Sequence, residues 1–177
     1  MNTNLDCYRL YDDATLPEKA TAGSACFDIS SYLREDVLVT VYDMSNAKIE
    51  RTPEYHTIDG KEKLCLRLDP ADRVLVPTGI IFKIPFGYSM RLHTRSSVSL
   101  KKGIIMPNGE GIIDSDYYHQ TYVMLLNASA DTAYISDKER IAQGELVQTE
   151  YYTIEETLQK PEQVTERAGG FGSTGVN

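Results

Sequence analysis

In KLCLRLDPADRVLVPTG, residues 63–79, apolar residues alternate at Leu64, Leu66 and Leu68 and again at Val74 and Val76, before Pro77, Thr78 and Gly79 signal a turn. A period of two places such residues on one face of a strand. The same alternation occurs at Val37, Val39 and Val41, and further turn signals stand at Asp59-Gly60, Pro85-Phe86-Gly87 and Pro107-Asn108-Gly109. Helix-period stretches of convincing length are lacking. The one segment suited to a helical turn is Glu155 to Lys160, ended by Pro161. Many short strands at close spacing predict an all-β fold, a barrel or jelly roll.

With 177 residues, 41% of them hydrophobic, the chain has enough material for one ordinary core and too little for two comfortable domains. No apolar run approaches the roughly 18 residues of a membrane span, and the start MNTNLDCYRLYDD is too polar for a signal peptide. The expectation is a cytoplasmic protein without a membrane partner. Cys7, Cys26 and Cys65 are odd in number and lack CxxC spacing, so they read as free thiols. A net charge of -8 argues against a broad grip on nucleic acid. It leaves room for a small anion held by a few Arg, Ser and backbone N–H groups, with a divalent cation cancelling part of the charge.

Three segments carry residues suited to that task. In GEGIIDSDYY, Asp114 and Asp116 follow Ile112 and Ile113 directly, and a carboxylate at a strand edge can take a proton from water. In RLHTRSSVSLKKG, Arg95 precedes Ser96 and Ser97, which offers a guanidinium fork and two hydroxyls to phosphate oxygens. The terminal GGFGSTG combines glycines with Ser173 and Thr174, and Phe171 offers a ring to stack on a base. It lacks the lysine of a P-loop. Asp28 after AGSAC and the RIAQ at Arg140 to Gln143 are blander candidates, and His56, His93 and His119 lack the spacing of a zinc site.

Taken in order, AGSACFDI, RSSVSLKKGI, GIIDSDYY, RIAQ and RAGGFGSTG resemble the five motifs of the trimeric dUTPase family, and VPTGI at Val76 to Ile80 resembles one of its strand signatures. The resemblance implies a jelly-roll-like β-barrel assembled as a homotrimer, with three active sites at subunit interfaces and a C-terminal arm closing over bound dUTP. It divides the chain into a barrel, residues 1–160, and an arm, residues 161–177. It implies Mg2+-dependent cleavage of dUTP to dUMP and pyrophosphate. Asp114 then matches the carboxylate that activates water, and Ser96, with Arg95 and Ser97, the stretch that contacts the phosphates; Gln143 joins them. Asp28 matches the residue that holds a water on magnesium. Asn108 and the backbone from Gly111 through Ile112 to Ile113 match the hairpin that pairs with uracil, and Tyr117 the ring under the deoxyribose. Arg167, Phe171, Gly172, Ser173 and Thr174 match the arm that holds the γ-phosphate and caps the base.

The chain also departs from the family pattern. Cys26 and His119 replace glycines, which predicts local backbone adjustment, and Gly144 and Glu145 follow RIAQ where an apolar residue is typical. The run from Arg167 to Phe171 is one residue short, and RSS occurs in the related dCTP deaminases as well. Residues 43–63 are extra, and their Asp59-Gly60 turn predicts an added hairpin. A dCTP deaminase of the same superfamily is one alternative, and Met124, three residues before Asn127 where those enzymes carry glutamate, speaks against it. A dUTP-binding regulatory module with weak turnover is the other alternative.

Overall fold

The computed structural model describes residues 3–166. Of the alternating residues, Leu66, Leu68, Val74 and Val76 face inward, each at most 1% exposed, whereas Val37 precedes the strand Val39–Tyr42 and is 38% exposed. Along the chain lie β1 (Asp6–Arg9), β2 (Phe27–Ser30), β3 (Val39–Tyr42), β4 (Lys48–Arg51), β5 (Glu54–Ile58), β6 (Lys61–Leu68), β7 (Arg73–Pro77), β8 (Ile80–Lys83) and β9 (Tyr88–Thr94). They are followed by α1 (Ser96–Lys102), β10 (Ile104–Ile105), β11 (Gly111–Ile113), β12 (Tyr122–Asn127), β13 (Ala133–Ser136) and β14 (Arg140–Gln148). The strands pair in the orders β1-β8, β10-β12-β7-β3-β4, β11-β9-β14-β2 and β13-β6-β5, antiparallel throughout.

All four sheets feed one core. Val41 and Leu125 enter from the five-stranded sheet, Ile29, Met90 and Leu92 from the four-stranded one, Leu66 and Ile135 from the three-stranded one, and Phe82 from the pair. Each such side chain contributes roughly 1.5–3 kcal/mol on burial, and most of that is offset by the entropy lost in ordering the chain. Short antiparallel strands wrapped around one apolar centre form the all-β, jelly-roll-like fold that the alternation predicts.

Two local expectations differ from the structure. Glu155 to Lys160 forms no helical turn, and residues 149–166 run on without strand or helix, leaving Tyr152, Ile154 and Leu158 at least 79% exposed. A single turn gains too few hydrogen bonds to hold itself without an apolar face to bury. A helix forms instead at Ser96–Lys102. It buries only Val98, carries Lys101 and Lys102 in its last turn and ends at Gly103 in the left-handed region, φ 64°, so its signals are those of a C-terminus rather than of periodicity.

The extra residues 43–63 build β4, β5 and the start of β6. Asp59 and Gly60, at φ 52° and 72°, join β5 to β6 with Ile58 opposite Lys61, the two-residue turn that Asp-Gly favours. The β3–β4 turn closes on Asp43, whose Oδ1 accepts from the backbone N–H groups of Ser45 and Ala47 at 2.8 and 2.9 Å. Strand β4 is tied to the barrel by Arg51, which donates to the buried carboxylate of Asp72 at 2.7 Å.

Candidate active site

Strand β14 runs between β9 and β2, so Gln143 stands opposite Asp28 on one side and His93 on the other. Residues directly opposite each other in neighbouring strands share a face, which puts Asp28, Gln143 and His93 in one row. Asp28 is 13% exposed, and each of its oxygens takes a guanidinium: Arg95 Nε lies 2.8 Å from Oδ1 and Arg140 Nη1 2.9 Å from Oδ2. Arg95 enters from the end of β9 as the cap of α1 and Arg140 from the start of β14. Ser96 and Ser97 are exposed in the first turn of α1. Arg95, Ser97 and Arg140 line a cleft of about 300 Å³ with Val98, Lys101 and Glu139. Two arginines and the Ser97 hydroxyl around one opening, with Ser96 exposed beside it, suit phosphate oxygens.

A second group gathers at the other end of the same sheet. Strand β11 pairs with β9 on one side only, Ile113 opposite Met90, so among the described residues its outer backbone groups have no strand partner. Asp114 follows it, exposed. Ile112, Ile113, Asp114 and Tyr117 line a cleft of about 290 Å³ with Leu75 and Tyr122. The Tyr117 hydroxyl donates to the Gln120 carbonyl at 3.0 Å, and the His119 ring meets the Tyr117 ring edge-on, centroids 5.6 Å apart. Asn108 is exposed in the preceding turn, where the Glu110 N–H donates to its carbonyl at 2.8 Å.

The two groups do not meet within one chain. Asp114 stands one residue beyond the Ile113–Met90 pair and Arg95 one beyond Thr94. At about 3.3 Å per residue, some 20 Å of β9 separates them. Arg167, Phe171, Gly172, Ser173 and Thr174 lie outside the described residues.

A family model described as dUTPase matches residues 62–175. The chain belongs to the dUTPase family. A deoxyuridine 5'-triphosphate nucleotidohydrolase from Caulobacter vibrioides is 33% identical over 165 residues, 93% of this chain and 88% of that protein. Among solved structures, a Staphylococcus bacteriophage 80alpha dUTPase point mutant with dUpNHpp superposes with TM-score 0.72 at 21% identity, over 99% of this chain and 100% of that one. A mutant dUTPase from phage phi11 of S. aureus, described for the coordination of a structural Mg(II) ion, gives 0.66 at 17% identity over 90% and 100%.

Within this dUTPase family member the departures acquire local reasons. Gly144 lies under Phe27: a Cβ there would come 2.7 Å from two ring carbons, so an apolar side chain has no room. Glu145 faces His93, with Nε2 3.2 Å from its Oε1. Neither Cys26 nor His119 is among the residues with positive φ, so each stands in a backbone conformation that any L-residue adopts. Burial pushes the Cys26 thiol up, and the Glu145 carboxylate adds to that.

Sequence reasoning gave Arg140 only a bland phosphate role and did not find its bond to Asp28. Positions 28, 95 and 140 are too far apart in the chain for a local pattern to link them.

Proposed function

We propose that this chain hydrolyses dUTP to dUMP and pyrophosphate. The observation that carries the proposal is the junction of an open sheet edge, β11, with an exposed carboxylate, Asp114, in one cleft floored by Tyr117. Uracil presents an alternating set of donors and acceptors, which the free N–H and C=O groups of an edge strand can match. Cytosine would leave one such group unpaired, and a ribose 2′-hydroxyl would press on the Tyr117 ring. Asp114 takes a proton from water as its oxygen bonds to the α-phosphorus. The bond from that phosphorus to the α,β-bridging oxygen breaks, and pyrophosphate leaves with the electron pair. Arg95, Ser96, Ser97 and Gln143 hold the phosphates and balance the charge that moves onto the leaving oxygens.

Magnesium belongs to this proposal as an ion carried by the triphosphate. Among the described residues no group of three or more His, Cys, Asp or Glu side chains is placed to hold a metal ion, and magnesium in general keeps several waters and takes few protein ligands. Asp28 is the residue that would hold one of those waters; the ion would supply neutralisation of phosphate charge. In the structure both Asp28 oxygens are engaged by arginines. An arriving triphosphate competes for those guanidiniums and thereby releases the carboxylate.

The roughly 20 Å of strand between Asp114 and Arg95 exceeds what one reacting phosphate can bridge, so we assign the two groups of each site to different chains of a homotrimer. The outward side chains of Leu75, Tyr122, Met124 and Ile105, each 38–43% exposed, supply an apolar surface for such contacts. Residues 161–177 act as the arm in this reading, with the barrel in residues 1–160. A cytoplasmic setting accords with a free nucleotide substrate, and among the described residues no helix is long and apolar enough to cross a membrane.

Release of pyrophosphate from dUTP, dCTP, dTTP and UTP with magnesium, by the wild type and Asp114→Asn, tests the proposal. Cleavage confined to dUTP and reduced by about 10²–10⁴ in the variant is the expected result. Binding of dUTP without product would indicate a regulatory module instead, and ammonia released from dCTP a deaminase. Against the latter, Met124 carries no carboxylate and lies on β12.

A further inference from the structure

We infer that His93 is a positioning residue whose protonation sets how firmly the turn at residues 107–110 is held beside the base. The inference rests on the reading of that turn and β11 as the uracil-recognising element.

His93 sits on β9 between two carboxylates on different elements. Its Nε2 is 3.2 Å from Glu145 Oε1 on β14, and its Nδ1 is 3.9 Å from Glu110 Oε1 in the turn. Arg91, two residues earlier on β9, also reaches Glu110, with Nη1 3.2 Å from Oε2. Farther out, the Cys26 thiol feels the charges of both Glu145 and Lys19. The row that holds His93 also holds Gln143 and Asp28.

A neutral imidazole has one N–H and one lone pair. The shorter distance gives the N–H to Glu145, so the lone pair on Nδ1 faces the Glu110 carboxylate and repels it. Protonation turns both nitrogens into donors, and Glu110 is then held by His93 and Arg91 together. Histidine changes charge between about pH 5 and 8. The turn is therefore held from two sides when His93 is protonated and by Arg91 alone when it is neutral. Because Glu110 directly precedes β11 and its N–H donates to the Asn108 carbonyl, a shift of Glu110 is passed both to the start of the base-pairing strand and to Asn108.

The test is steady-state kinetics on dUTP at pH 5.5 and pH 8 for the full-length wild type, His93→Gln and Glu110→Gln. Substrate titration is common to all three, so variant-to-wild-type ratios isolate the protein. For groups this exposed we expect the KM of His93→Gln to exceed the wild-type value by about two- to fivefold at pH 5.5 and to approach it at pH 8, while Glu110→Gln, which also loses its ion pair with Arg91, stays above wild type at pH 8 by less than at pH 5.5. The kcat of each variant should follow the wild-type pH curve. A KM ratio equal at the two pH values, or an effect in kcat alone, overturns the inference.

An activity-independent arm follows the His93 ring and the backbone amides of Asn108, Gly109 and Glu110 by NMR on the wild type. The amides should move along the same pH curve as the ring; a ring that titrates without moving them also overturns the inference. If the wild type cleaves no dUTP, the functional reading fails, and the NMR arm still decides whether His93 governs the turn.

Discussion

Gly144→Ala is the smallest change that tests how closely the site is built on the core. The new Cβ would lie 2.7 Å from Phe27 Cε2 and Cζ and 3.2 Å from Ile29 Cδ1, whereas carbon atoms rest about 3.5–4.0 Å apart. The Phe27 ring must then retreat by about 1 Å. Behind it stands Phe82, whose ring centroid is 5.8 Å away and which is 1% exposed, so the retreat meets a filled core. Overpacking of this kind costs about 1–3 kcal/mol. The reduced freedom of the unfolded chain returns about 0.4–1 kcal/mol. A net loss near 1–2 kcal/mol lowers Tm by roughly 2–8 °C at this chain length. Gln143 precedes Gly144 and faces Asp28, so kcat/KM should fall along with Tm. Differential scanning calorimetry at fixed protein concentration measures the first effect, and adding Phe27→Leu supplies the control. The double variant should be at least about 1 kcal/mol more stable than the sum of the single effects. Independent, additive effects of the two substitutions would refute the reasoning.

Arg140→Gln frees one oxygen of Asp28 and leaves Arg95 on the other. Arg140 is 56% exposed, so stability should change by less than about 1 kcal/mol, while kcat/KM for dUTP should drop about tenfold or more from loss of carboxylate orientation. The Asp13 carboxyl is held below the usual carboxylate range by the Tyr32 hydroxyl at 2.7 Å and by Lys138 at 3.2 Å. Its contribution to stability is present above the unfolded value near 3.8 and is lost as pH falls through the lower folded value. The Tm of Asp13→Asn should therefore lie below wild type at pH 6, with the gap closing as pH falls below 3.8 and through the lower folded value.

The strands were legible where side chains repeat with the period of a pleat. Leu66, Leu68, Val74 and Val76 are buried because alternate residues of a strand share a face, and Asp59-Gly60 turns because it accepts positive φ at both positions. The helix at Ser96–Lys102 escaped notice because seven residues with one buried side chain have no measurable period. The Asp28–Arg95–Arg140 bridge was illegible for another reason. It arises where β2, β9 and β14 lie side by side, and no stretch of chain records that adjacency. Likewise, the order of residues offered Asp114 and Arg95 as members of one site but not the length of β9 between them.

That length has a genetic consequence. Under the proposed assignment of Asp114 to one subunit and Arg95 to another in each site, two different defective alleles would not simply add. An Asp114→Asn chain still donates a sound Arg95, and an Arg95→Gln chain a sound Asp114. Co-expressed, they would form mixed assemblies in which some sites receive both intact residues, and a cell carrying the two alleles would regain activity that neither allele gives alone.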